Sequence, residues 1–306
     1  MAGLSRGLRP WSAAACCLVA CAALVTASTS GPATRPGPVA LPAGRATTSL
    51  RVLQMNLCGS GDAHCYTGRS VLEAGGMIRA QDPDVVTLNE VCRDDVAGLE
   101  RTLAEAGTGD GGVVVSAFQA AWDRRTGTAL RCRDGGAYGI GLVARLTRVP
   151  GGYDTIGGAF PVQDLRNAEE RAWVCLSPAT AAAGAVAACT THLASSSPAV
   201  ARAQCGYLLG TAIPAVRARA GSVPVVLGGD LNLRSGGSPD VRSCVPAGDG
   251  RADDGLVQHV VASSGLTISS LRTIGMLGTD HPGLLVTLTR EPFPEPAPAP
   301  PVAGRQ

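Results

Sequence analysis

The chain contains no lysine: all 26 of its basic residues are arginine. That pattern fits GC-rich coding, and no mechanism is read from it. Aromatic side chains are scarce as well, with three Trp, four Tyr and three Phe among 306 residues. A lipase that seats itself on a membrane ordinarily exposes apolar or aromatic hairpins, so the scarcity argues for a soluble substrate. No two cysteines stand in the Cys-x-x-Cys spacing that zinc sites favour. The apolar stretch from Ala13 to Val25 is too short and too poorly flanked for a membrane anchor. No shift of composition announces a second domain, and 45% hydrophobic residues suffice for one large α/β core.

Residues 1–27 have the form of a secretory signal: Arg6 and Arg9, the apolar stretch, then small residues at Val25-Thr26-Ala27. Leu18-Val19-Ala20-Cys21 also resembles a lipobox, which would leave the protein tethered through Cys21. The apolar run continues past Cys21, which favours release. Loss of Arg6 and Arg9 takes the formal charge from +2 to neutral, so any nucleic-acid binding relies on a local patch. Residues 28–49 read as a flexible leader, 50–290 as the one folded domain, and the Pro-rich residues 291–306 as an extended, solvated tail. Eight cysteines lie beyond the signal, an even number that argues for disulfides in an exported chain. Cys58 and Cys65 bracket a short loop, and Cys175 and Cys189 flank a small-residue turn between apolar strands. These are the favoured pairs of the 105 possible pairings, and they would leave Cys92 with Cys132 and Cys205 with Cys244.

Strand and helix patterns alternate, as an α/β sandwich requires. Strands are expected at 50–57, 84–90 and 138–144, with 171–177 and 185–192 as a hairpin. A helix near 69–80 is stopped by Asp82-Pro83. A second runs from Asp94-Asp95 to about Ala106, with Val96, Leu99 and Leu103 on one face. Ser197-Pro198 caps a third, running to about Ala220.

The stretch that organises the chain is Val223-Pro224-Val225-Val226-Leu227-Gly228-Gly229-Asp230-Leu231-Asn232. It reads as a buried strand whose glycines would let the backbone turn and approach a ligand, with Asp230 and Asn232 on one side. Four other strand ends carry polar residues in sequence order: Asn56, Asn89-Glu90, His192 and Thr279-Asp280-His281. Together these five motifs, spanning residues 50–288, resemble the endonuclease/exonuclease/phosphatase superfamily, the DNase I-like metal-dependent phosphodiesterases. The resemblance implies an α/β four-layer sandwich of two mixed β-sheets flanked by helices.

By that resemblance Glu90, Asn56 and Asp280 hold a divalent ion, Mg2+ with Mn2+ or Ca2+ as alternatives. Asp230 orients or activates water, and Asn232 hydrogen-bonds the phosphate or the nucleophile. His192 donates to a phosphate oxygen, and His281 is the general base or its charge partner. Arg171 either contacts substrate or pairs with a neighbouring acid, and Tyr138 either lines the cleft or packs. Related enzymes orient the last histidine with an Asp where this chain has Gln258, so either Gln258 holds the His281 ring or Asp253 or Asp254 replaces it. The implied activity is that of a secreted, monomeric phosphodiesterase, first of all an extracellular nuclease. A phospholipase C on sphingomyelin or phosphoinositides, an inositol-phosphate phosphatase and a catalytically silent binding module are the alternatives. A fold alone has no use for this set of groups, which argues against the silent module.

Overall fold

A strand covered on both faces sends neighbouring side chains into different cores. The computed structural model, which describes residues 49–61, 63–107 and 112–290, shows this in β1 (Ser49–Asn56), where Val52 enters one core and Leu53 another. In chain order there follow α1 (Ser70–Gln81), β2 (Val85–Cys92), α2 (Arg93–Ala106), β3 (Val113–Ala120), β4 (Trp122–Asp123), β5 (Thr128–Ala129), β6 (Tyr138–Leu146), β7 (Tyr153–Ala159), β8 (Glu169–Glu170) and β9 (Ala172–Pro178). Next come β10 (Ala187–His192), α3 (Pro198–Tyr207), α4 (Ile213–Arg219), β11 (Val225–Asp230), β12 (Gly250–Asp253), β13 (Gln258–Ala262), β14 (Leu266–Ile274) and β15 (Gly283–Arg290). The expected signal peptide with Cys21, the leader up to residue 48 and the tail from 291 lie outside the described residues.

One six-stranded sheet has the order β14-β15-β1-β2-β6-β3 and the other β12-β13-β11-β10-β9-β7, with a small third sheet β5-β4-β8. Each large sheet contains a single parallel pair, β1 with β2 and β10 with β11. Parallel neighbours need a crossover, supplied by α1 in the first case and by α3 and α4 in the second. The sheets face each other across a shared core that includes Val52, Val85 and Leu142 from one and Val174, Ala188 and Val226 from the other. Ile78, Val96, Leu99 and Leu103 cover the outer face of the first sheet, and Ala201, Leu208 and Val216 that of the second. The result is the expected mixed α/β sandwich.

Helix signals act where the sequence puts them. Asp82 ends α1 in a left-handed conformation (φ 42°) before Pro83, and Ser197 Oγ accepts the Val200 N–H ahead of Pro198. The expected single helix over 197–220 is interrupted by a π-helical turn, Leu208–Ala212. Pro214 has no N–H for the Gly210 carbonyl and its ring would crowd it, a conflict that the wider turn relieves. All eight cysteines are bonded in the expected pairs: Cys58–Cys65, Cys92–Cys132, Cys175–Cys189 and Cys205–Cys244. Among the described residues no helix is long and apolar enough to cross a membrane.

Candidate functional site

Both parallel pairs end at the same place. At the last rungs, Asn56 stands opposite Asn89 in one sheet and His192 opposite Asp230 in the other. Asn56 Nδ2 joins the two, donating to Glu90 Oε1 at 3.0 Å and to Asp230 Oδ2 at 3.3 Å. Asn56 Oδ1 accepts the Cys58 N–H. His192 Nδ1 lies 4.0 Å from Glu90 Oε1, and its Nε2 lies 3.9 Å from Asp230 Oδ2. His281 Nε2 approaches the same Asp230 oxygen, at 3.8 Å. The chain thus brings together Asn56, Glu90, His192, Asp230 and His281 from five separated motifs.

The backbone is bent to achieve this. The ladder between β2 and β6 shifts register between Leu88 and Val91, and within that shift Glu90 takes φ 53°. A bulge re-aims a side chain, and a left-handed Glu persists only where its surroundings hold it. Here the Glu90 carbonyl accepts the Gly59 N–H at 2.7 Å, and a Cβ on Gly59 would stand 2.5 Å from that oxygen. Asn232 is also left-handed (φ 48°). Its N–H donates to Asp230 Oδ1 and its side-chain amide to the Leu193 carbonyl.

Beneath the site lies a buried polar layer in which Asn89 and Gln258 are joined by Gln54 and Thr87, two residues that the sequence did not single out. Gln54 Nε2 donates to Asn89 Oδ1 and Gln258 Oε1, and Thr87 Oγ1 donates to Gln54 Oε1. Asn89 Nδ2 donates to the Thr191 carbonyl, and Asn89 Oδ1 accepts the Asp230 N–H. The layer ties one sheet to the other, and it corrects the expected role of the glycines in β11. Neither Gly228 nor Gly229 has positive φ. A Cβ on Gly228 would lie 2.1 Å from Thr87 Oγ1, and one on Gly229 would lie 2.3 Å from the Thr191 carbonyl. These glycines admit the neighbouring protein chain, not a ligand.

Burial dominates the electrostatics. It pushes the Asp230 carboxyl up to about 6, against the lowering effects of His281, the Asn232 N–H, Asn56 and Arg171. It also holds His192 well below the usual histidine range, an effect that Arg171 and His281 reinforce. Two carboxylates therefore meet around one neutral amide, and burial disfavours the charge on that of Asp230. Oxygen ligands around such an excess suit a hard divalent cation. Glu90 provides a carboxylate, and Asn56 an amide whose oxygen accepts the Cys58 N–H. These residues fit a metal of that class.

The remaining candidates fall elsewhere. Asp280 is exposed, 3.6 Å from His281 Nε2, with its carboxylate beside the Cys58 and Cys65 sulfurs. Arg171 is only 6% exposed and reaches Glu169 Oε1 at 2.9 Å, as the acid-pairing reading expects, but it also reaches His192 Nδ1. Tyr138 packs with Cys92, Ala121 and Cys132, and burial, Glu169 and Glu90 raise its phenol well above its ordinary value. Gln258 does not hold the His281 ring: its carbonyl is taken by Gln54, and its amide donates to the Pro282 carbonyl next to His281. Asp253 binds Arg251 and Ser235, and Asp254 Oδ1 accepts the Leu256 and Gln258 N–H groups. The carboxylates facing His281 are those of Asp230 and Asp280. Glu169, one of the two acids that precede Arg171, is its half-buried partner, and burial raises its carboxyl above the usual range.

The sequence model of the Endonuclease/Exonuclease/phosphatase family matches residues 55–281. No curated protein matches the chain. Among solved structures the chain is similar to an endonuclease/exonuclease/phosphatase from Beutenbergia cavernae DSM 12333, with 22% identity, TM-score 0.58, and 79% of this chain and 72% of that one covered. It is similar to the human Nocturnin catalytic domain, with 14% identity, TM-score 0.56 and coverage of 79% and 94%. ANGEL2, a 2',3'-cyclic phosphatase, matches at 14% identity, TM-score 0.53 and coverage of 79% and 95%. At these identities the likeness is one of fold.

Proposed function

Because the chain belongs to the endonuclease/exonuclease/phosphatase family, we propose that it is an exported, divalent-metal-dependent phosphodiester hydrolase acting on nucleic acid. The observation that carries this reading is the Asp230 carboxylate, shared between the Asn56 amide and two imidazoles while Glu90 stands beside them. Four disulfides support export, and the small number of aromatics supports a soluble polymer over a lipid surface.

Glu90 and Asn56 would hold the cation, which when bound neutralises phosphate charge and lowers the pKa of water. Asp230, its basicity raised by burial, orients the attacking water and takes its proton. His281 faces the same carboxylate oxygen and stabilises or relays that proton. His192 donates to a non-bridging phosphate oxygen as charge develops there. Asn232, anchored to Asp230 and Leu193, hydrogen-bonds the phosphate or the nucleophile.

The test incubates the mature protein with DNA, RNA, sphingomyelin and a simple bis-aryl phosphate, with and without a chelator, and repeats it with Glu90→Gln. Metal-dependent cleavage of DNA or RNA, lowered on the order of 10³-fold in Glu90→Gln, is expected. Cleavage of sphingomyelin alone would replace the substrate assignment, and full activity in Glu90→Gln would overturn the site.

A further inference from the structure

We propose that Arg171 is a positioning residue that fixes the His192 ring as its Nε2–H tautomer and so makes it a hydrogen-bond donor, not a base. The phosphate as acceptor rests on the proposed function; the state of the ring follows from geometry. Arg171 NH1 lies 2.8 Å from His192 Nδ1. A guanidinium only donates, so Nδ1 must accept, and the single proton of the neutral ring sits on Nε2. Nε2 is the nitrogen that faces Asp230.

Both terminal nitrogens of Arg171 are engaged, and its buried Nε has no partner among the described residues. NH1 also donates to Glu169 Oε1 at 2.9 Å, and NH2 to Ser195 Oγ at 3.4 Å. Its backbone is pinned as well: the Arg171 N–H donates to Gln163 Oε1, and its carbonyl accepts from the Gln163 side-chain amide and the Phe160 N–H. The guanidinium is only 6% exposed and is bonded to the ring, so its charge acts on a bound phosphate through the imidazole. A donor bonded at Nδ1 polarises the ring and strengthens the Nε2–H as a donor. The chain uses the same device a second time. His259 Nδ1 meets Arg251 NH1 at 3.2 Å while its Nε2 donates to the Leu233 carbonyl at 2.7 Å, which makes His259 an internal reference of known tautomer.

The test is long-range 1H–15N correlation on mature protein with 15N-labelled histidine, in chelator, where each ring nitrogen reports whether it carries a proton. His192 is expected to match His259, with bare Nδ1 and protonated Nε2. Arg171→Met should release it into a mixture of tautomers, and Arg171→Lys should retain it, because an ammonium also donates. Arg171→Met strands the buried Glu169 carboxylate, so Arg171→Met with Glu169→Gln is measured beside it. In the same variants kcat should fall on the order of 10²-fold with KM little changed, and Arg171→Lys should recover much of that loss. A protonated Nδ1 in the wild-type protein, or an unchanged tautomer in both Arg171→Met proteins, would overturn the proposal. The expected tautomer in a protein that cleaves no phosphodiester would overturn the proposed function and leave the positioning of the ring standing.

Discussion

Asn89 Oδ1, on β2 of one sheet, accepts the backbone N–H of Asp230, on β11 of the other, at 2.7 Å. The same oxygen accepts from Gln54, and the same amide donates to the Thr191 carbonyl. One buried side chain therefore sets the distance between the strand that carries Glu90 and the strand that carries Asp230.

Asn89→Leu should cost about 3 kcal/mol of folding free energy, because it leaves buried donors and an acceptor unmet. It should also lower turnover while Glu90 and Asp230 are both still present. Urea unfolding followed by fluorescence and circular dichroism measures the first effect, and steady-state kinetics the second. A stable variant with unchanged kcat would show that the layer beneath the site does not position it.

Gly228→Ala tests the closeness of the sheets. Its Cβ would stand 2.1 Å from Thr87 Oγ1, so overpacking of about 1–3 kcal/mol is expected. Because the clash is with one side chain, Gly228→Ala combined with Thr87→Gly should cost less than the sum of the two single changes. Strict additivity in a double-mutant cycle would contradict this.

The charge on Asp230 sets a pH dependence. Its carboxyl is raised to about 6 in the folded chain, above the unfolded value of about 4. A raised group contributes stability below its unfolded pKa and loses that contribution as pH rises through the folded one. In chelator, Asp230→Asn should therefore gain in melting temperature over the wild-type protein across about pH 4 to 6 and keep that gain above it. The same variant should be inactive. Parallel melting curves over this range would mean that the buried charge is not a burden.

The disulfides should separate stability from activity. Cys205–Cys244 closes a separation of 39 residues and Cys58–Cys65 one of 7, so chain entropy assigns them about 4 and about 2 kcal/mol. Yet Cys58 donates its N–H to Asn56, and the adjoining Gly59 to the Glu90 carbonyl. Replacing Cys58 and Cys65 by Ser should lower kcat/KM on the order of 10²-fold, whereas replacing Cys205 and Cys244 should mainly lower the melting temperature. The reverse ranking would remove the first pair from the support of the site.

Much of this was legible in the sequence for a simple reason. β1, β2 and β11 are rich in Val and Leu and mostly buried, so the polar residues at their ends, Asn56, Glu90 and Asp230, stand out. The helix through Val96, Leu99 and Leu103 shows equally plainly, since one face is buried and the other solvated. β3, β7 and β14 do not, because they lie at sheet edges and are half exposed, without a strict alternation. Gln54 and Gln258 are paired across 204 residues, which no local pattern can announce. The expectation that Gln258 holds the His281 ring fails for the same reason: its side chain is engaged by Gln54 and the Pro282 carbonyl.

The two parallel pairs have one more consequence. β1 and β2 carry Asn56 and Glu90; β10 and β11 carry His192 and Asp230, so each βαβ unit brings two of the five reactive groups. The turn at residues 149–152 separates the two units in sequence. A chain cut there would put Asn56 and Glu90 on one fragment and His192, Asp230 and His281 on the other, together with the β14 and β15 strands that complete the first sheet. Neither fragment alone holds a whole site, so hydrolysis would return only on their reassociation, and its appearance would time the docking of one sheet on the other.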